Sequence, residues 1–282
     1  MTKYLIPLYL IFLSTVSLSQ DSAKGDEILH SDGGPYYTES NFHNTFPEPF
    51  NMASAAVFMF IALYWYVKAT RQATSFRFMK ISSFILMIGG LGGTIYHGFR
   101  IWNWAMWMDW VPILILCIAA SGYFVFRVYK SKLAAIVAFL LAVALQAINF
   151  WAVPDWLNTN TSYGILGVFI LVPLIVALVR TRFLYWYWPL TALVAFILAL
   201  TFRLGDRANW LEPIGSHFLW HTFGAIACHC MFTYLFKFKR AFPRFELIDK
   251  MRLRKIRLEN FKKARLKIMK GGFRLPKKKK LQ

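Results

Sequence analysis

Negative charge is what this chain lacks most: 13 Asp and Glu stand against 33 Lys and Arg in 282 residues. Charge of either sign is sparse, at 16%, well under the quarter typical of soluble domains, so an ordinary water-facing surface is excluded. Cysteine is nearly absent. Cys117, Cys228 and Cys230 all lie inside apolar stretches, and no disulfide framework can be built from them. Apolar and aromatic side chains make up the difference, at 57% and 18% of the chain, and mark an integral membrane protein. A net charge of +20 would suit a nucleic-acid binder, but the bases gather in alternate loops and in the tail. The charge therefore reports topology, and nucleic acid is not an expected partner.

Residues 1–19 read as a secretory signal: Lys3, an apolar run from Tyr4 to Val16, and the small-residue pattern Ser17-Leu18-Ser19, with cleavage near Ser19 or Gln20. An uncleaved signal anchor is the other reading of the same run. Residues 20–49 are polar and acidic, with a Gly33-Gly34-Pro35 turn, and read as an exposed arm. Seven apolar runs of spanning length follow within residues 50–236: Phe50 to Val67, Ile81 to Phe99, Ala105 to Phe126, Leu133 to Val153, Gly164 to Val179, Pro189 to Phe202 and Gly215 to Phe236. The predicted fold is an all-α membrane protein, a seven-transmembrane-helix bundle with an N-terminal arm and a basic C-terminal tail over 237–282.

Orientation follows from the bases in the connections. Lys68, Arg71, Arg77 and Lys80 follow the first run, Arg127, Lys130 and Lys132 the third, and Arg180 and Arg182 the fifth. The opposite connections hold only Arg100, Arg203 and Arg207. Odd-numbered connections are then cytoplasmic, the arm is exoplasmic (periplasmic or lumenal) and the tail is cytoplasmic. Trp102, Trp104, Trp107 and Trp110 crowd the outer end of the third run, where indole rings favour the interface. The tail carries nineteen Lys or Arg, and Arg252 to Lys270 has the spacing of a basic amphipathic helix suited to anionic lipid headgroups.

Ionisable side chains are costly in a bilayer, and four of them fall at one level of this topology: His97, Asp109, His217 and His221. His217 and His221 are four apart, so their rings lie one above the other on one helix face. His97 closes the second run at the same outer level. Three His leave a fourth zinc position open, as catalytic rather than structural sites do. Zinc there would activate water and polarise a carbonyl, with Asp109 placed to relay the proton. Thr94, three residues before His97 on the same face, is placed to donate to a developing oxyanion. His229, deeper on the seventh run, reads as a packed histidine, and Cys228-His229-Cys230 cannot chelate because helix neighbours point about 100° apart.

Taken in order, Glu39-Ser40-Asn41-Phe42, Glu48-Pro49-Phe50-Asn51 leading to Ser54, Gly92-Gly93-Thr94-Ile95-Tyr96-His97, Asp109 and Gly215-Ser216-His217-Phe218-Leu219-Trp220-His221 resemble the alkaline ceramidases. These belong to a wider superfamily of seven-span hydrolases that includes the progestin and adiponectin receptors. The resemblance, over Tyr37 to about Tyr234, implies zinc held by His97, His217 and His221, proton handling by Asp109, and hydrolysis of a ceramide-like lipid to fatty acid and sphingoid base. It also implies Ca2+ in the arm, mapped onto Glu39, Asn41 and Glu48. The family's serine four residues before the first histidine is Gly93 here, Asp109 lies one residue further along than in the family, and an early Asp of the calcium motif is replaced near Pro35 or Tyr36. A lipid-sensing receptor of the same superfamily and a hydrolase of another acyl amide or ester are the alternative readings. A proton-coupled transporter would need ionisable groups spread towards the midplane, and here they stay at one end.

Overall fold

A computed structural model of the chain describes Asp32, residues 34–72 and residues 76–270. The expected signal segment lies outside them. The first described helix is started by the arm itself. Pro49 has no N–H to satisfy, and the Glu39 carboxylate accepts from the next two, Phe50 N at 2.5 Å and Asn51 N at 3.0 Å. Helix α1 (Pro49–Thr70) is followed by α2 (Arg77–Phe99), α3 (Asn103–Tyr129), α4 (Lys132–Ala152), α5 (Asp155–Arg180), α6 (Tyr187–Arg207) and α7 (His217–Lys270). Other ends are capped in familiar ways. The Ser131 hydroxyl accepts from Ala134 N at 3.1 Å to open α4, and Arg100 takes a left-handed conformation (φ 53°) to close α2.

No strand occurs among the described residues. Six helical stretches, α1 to α4, Thr161–Arg180 of α5, and α6, are long and apolar enough to cross a membrane. The expected seventh run opens α7 but is not among them. His217, His221 and His229 dilute its apolar character, and the helix runs on through basic sequence to Lys270. Large apolar side chains point outward along the candidate spans: Phe60 and Leu133 are each 70% exposed and Trp151 84%. Such a surface is unfavourable in water and is what a hydrocarbon solvent requires.

Two compact units divide the chain, Met1–Phe236 and Lys237–Gln282. The second is helical through Lys270, with Leu258, Phe261 and Leu266 exposed. In the first unit, α1, α2 and the start of α7 share a core built from Phe58, Trp65, Leu86, Phe232 and Phe236, with Trp65 stacked on Phe232 at 5.9 Å. Glycines in α2 set how closely its neighbours approach. A Cβ at Gly90 would lie 2.8 Å from Met59 N of α1, and one at Gly93 would collide with the Asp109 carboxylate of α3. Polar clasps tie the more loosely packed helices. The Asn149 and Asn158 amides bond reciprocally between α4 and α5, and Ser121 donates to Phe169 O at 2.7 Å between α3 and α5.

Candidate metal centre

The three expected histidines meet. His97 at the end of α2 and His217 and His221 at the start of α7 are 0%, 3% and 2% exposed. Their ring centroids are 4.8 to 5.3 Å apart. One nitrogen from each lies within 4.8 Å of the others, and this is the only such group of three or more His, Cys, Asp or Glu among the described residues. The i, i+4 spacing that stacks His217 and His221 is intrinsic to the helix. What brings α7 into register is Asp206 of α6, whose Oδ1 accepts from Ser216 N at 2.7 Å and His217 N at 3.0 Å and so caps the first turn.

Hydrogen bonding shows which nitrogen each ring offers. His97 Nδ1 meets Glu48 Oε2 at 2.5 Å, so Nδ1–H donates to the carboxylate and Nε2 keeps its lone pair. His221 Nδ1 faces Asn51 O at 3.2 Å and Ser54 Oγ at 3.0 Å, while Ser54 itself donates to Asn51 O. A proton on Nδ1 satisfies that arrangement, again leaving Nε2 free. His97 Nε2, His221 Nε2 and His217 Nδ1 are all buried with no partner. Burying a polar nitrogen without a bond costs about 1–3 kcal/mol, and three such atoms side by side are the signature of ligands that want an ion. The donor set fits zinc: three neutral imidazoles, two of them oriented from behind by a carboxylate or by a carbonyl and hydroxyl.

Asp109 completes the group. Its Oδ2 lies 3.9 Å from His97 Nε2, too far for a hydrogen bond, and its side chain is 22% exposed. Gly93 is what admits it there. The Asp109 carboxylate fills the place that a side chain at 93 would take, since a Cβ there would collide with Asp109 Oδ1. Gly93→Ser, which restores the residue the resemblance leads one to expect, is predicted to push Asp109 aside and destabilise the fold by about 1–3 kcal/mol. An unchanged thermal midpoint in that variant would refute the steric account.

Thr94 stands next to this arrangement, but its hydroxyl donates to Gly90 O of its own helix at 2.6 Å. The arm residues expected for calcium are engaged with protein donors. Glu39 caps α1, Asn41 Oδ1 accepts from His43 N at 3.1 Å, and Glu48 accepts from Ser40 Oγ at 2.5 Å, from His97, from Asn51 Nδ2 and from Arg100. Each side-chain oxygen of the three accepts from at least one protein donor. The positive charge at this place belongs to Arg100. It is 1% exposed, paired through Nε with Asp32 Oδ2 at 2.7 Å, bonded to Glu48, and donating to Pro35 O at 3.0 Å. Burial alone would discharge Arg100, but Asp32 and Glu48 hold its pKa above the ordinary value. Burial pushes Glu48 up, yet the His97 hydrogen bond and the charges beside it hold its carboxyl below the usual range.

Sequence reading missed four residues of this site. Arg100 looked like one stray base in an outer connection, and Asp32 like one more acid of a solvated arm. Asp206 gave no signal beyond its side of the membrane. Tyr37 appeared only as the first residue of the resembling stretch, yet its ring covers the triad, 4.1 Å from His217 and 5.3 Å from His97. The arm is pinned beside it by Thr38, whose hydroxyl donates to Asp206 O at 2.8 Å. His229 packs against Trp65 at 5.6 Å, as a packed histidine should. No protein-family model matches the chain, and no curated protein matches it.

Proposed function

We infer that this chain is a zinc-dependent amide hydrolase of the alkaline ceramidase type. It crosses the membrane seven times, with its arm exoplasmic and its tail cytoplasmic on anionic headgroups, and it cleaves a ceramide-like N-acyl lipid to fatty acid and sphingoid base. The observation that carries this reading is the set of three partnerless buried imidazole nitrogens beside a carboxylate that forms no bond to them. His97, His217 and His221 would hold the zinc, which supplies a lowered pKa for water at its open position and polarisation of an acyl carbonyl.

The remaining tasks belong to the protein's own groups. Glu48 fixes the tautomer and tilt of His97, and Asn51 with Ser54 does the same for His221. Asp109 is positioned to accept a proton from the attacking water and return it to the departing amine. A small cavity of about 10 Å³ beside the triad is lined by Asp109, His221, Gly89, Pro112, Leu86 and Leu116, which is room for a water-sized group rather than for an acyl chain. Metal analysis of purified protein with a mass-spectrometric assay of ceramide cleavage tests the reading. Stoichiometric zinc and cleavage are expected of the wild type, and loss of both in His217→Ala. A wild type that takes up no zinc, or an alanine variant that keeps metal and turnover, would overturn it.

A further inference from the structure

Amide hydrolysis puts negative charge on the carbonyl oxygen and then leaves a carboxylate, and a site that speeds it needs donors aimed at that oxygen. Most donors around the triad are already committed. Thr94 gives its hydroxyl to Gly90 O, Ser54 to Asn51 O and Ser40 to Glu48, and position 93 has no side chain. Arg100 is enclosed by Asp32, Glu48 and Pro35. Two groups remain. The Tyr37 hydroxyl makes no hydrogen bond among the described residues, although its ring lies directly on His217. Arg203, within α6, forms no ion pair among the described residues.

Arg203 is held by ring faces. Its guanidinium carbon sits 5.4 Å from the Tyr163 ring and 5.5 Å from the Trp220 ring, and Trp220 is the residue before His221. That cradle orients the cation without neutralising it. Arg203 lies one turn before Asp206, which caps the turn carrying His217, so it stands at the triad's end of α6. Arg203 is half-buried near the end of a candidate span, and an ionisable group there without an ion-pair partner among the described residues points to a functional role. A phenol carries its proton at neutral pH, so the Tyr37 hydroxyl is a donor.

We propose that Tyr37 and Arg203 form the anion-holding subsite of the triad, donating to the acyl oxygen as it becomes negative and afterwards to the carboxylate of the fatty-acid product. This rests on the hydrolase reading given above. In the step concerned, the oxygen of water bonds to the acyl carbon and the carbonyl π pair moves to the acyl oxygen, which accepts from Tyr37 O–H and an Arg203 N–H. Asp109 takes one proton of the water, collapse breaks the carbon–nitrogen bond as the amine takes that proton, and the acid then gives the second water proton to the released amine, so that a carboxylate remains opposite Arg203. One donor therefore comes from the arm, so the site is complete only with the arm seated.

Two measurements on the full-length protein in detergent test this. In the metal-free protein, binding of palmitate and of uncharged hexadecanol is followed through tryptophan fluorescence. Arg203→Gln is expected to weaken palmitate at least tenfold and leave hexadecanol unchanged, and Arg203→Lys to recover part of the loss. In the zinc-loaded protein, Tyr37→Phe is expected to lower kcat for ceramide by ten- to a hundredfold with KM, zinc content and thermal midpoint unchanged. Palmitate affinity unaltered in Arg203→Gln, or wild-type kcat in Tyr37→Phe, overturns the subsite. A wild type without ceramide turnover overturns the hydrolase reading instead, and the palmitate comparison still decides for or against the subsite.

Discussion

Asp109→Asn is expected to reduce ceramide turnover by about 10²–10⁴-fold, the usual worth of a positioned general acid–base group, while zinc content stays at the wild-type level. The two halves of that expectation come from separate features of the geometry. Asp109 Oδ2 stands 3.9 Å from His97 Nε2, so the carboxylate is no partner of the free imidazole and its loss leaves the three nitrogens where they are. Asparagine keeps the shape that Gly93 accommodates but cannot accept and return a proton. The fall should appear in kcat rather than KM, because the group acts on the bond being broken and not on the acyl chain. Parallel zinc analysis and steady-state kinetics on purified variants provide the check. Wild-type kcat would remove Asp109 from the chemistry, and coincident loss of zinc would make it a metal ligand rather than a proton carrier.

How much of this was visible beforehand varies with the kind of force involved. His97, His217 and His221 were legible because two rules that need no tertiary information point to them, the cost of imidazole in a span and the i, i+4 face of a helix. The apolar runs located the helices but understated them. Pro189 to Phe202 became Tyr187–Arg207, since Tyr187, Trp188, Arg203, Asp206 and Arg207 continue a helix without continuing its hydropathy. The same difference hid the length of α7, where apolar sequence ends near Phe236 and helix continues to Lys270.

Roles that depend on who faces whom were not legible. Glu48 reads in sequence as a cation ligand in an acidic arm, and in the folded chain it holds His97 and Arg100. Thr94 has the right spacing from His97, but nothing in spacing shows that its hydroxyl is taken by Gly90 O. Gly93 looked like a lost serine until the Asp109 carboxylate was found in the space that a side chain would need.

The other large effect is expected at Arg100. Arg100→Met removes the guanidinium from between two carboxylates that are themselves fully buried, Asp32 and Glu48. Breaking a buried pair from one side costs ~3–5 kcal/mol, because the charges left behind can neither ionise comfortably nor reach water. Here the cost has a direct route to the site. Glu48 is the group that orients His97, and loss of such a supporting partner lowers metal affinity by about 10–100-fold. The arm should loosen as well, since Arg100 also donates to Pro35 O and packs 4.8 Å from the Tyr96 ring and 5.6 Å from the Tyr37 ring. A lower thermal midpoint, faster proteolysis within residues 32–48 and weaker zinc binding in competition with a chelator are therefore expected together. Arg100→Lys, which keeps the charge but cannot span Asp32 and Glu48 with a planar fork, should fall between wild type and Arg100→Met. Because the guanidinium stands where the resemblance leads one to expect calcium, added calcium should restore none of these properties in either variant. Wild-type stability and zinc affinity in Arg100→Met would show that the arm is held by its apolar contacts alone, and recovery on adding calcium would show that Glu39, Asn41 and Glu48 can form a cation site once the arginine is gone.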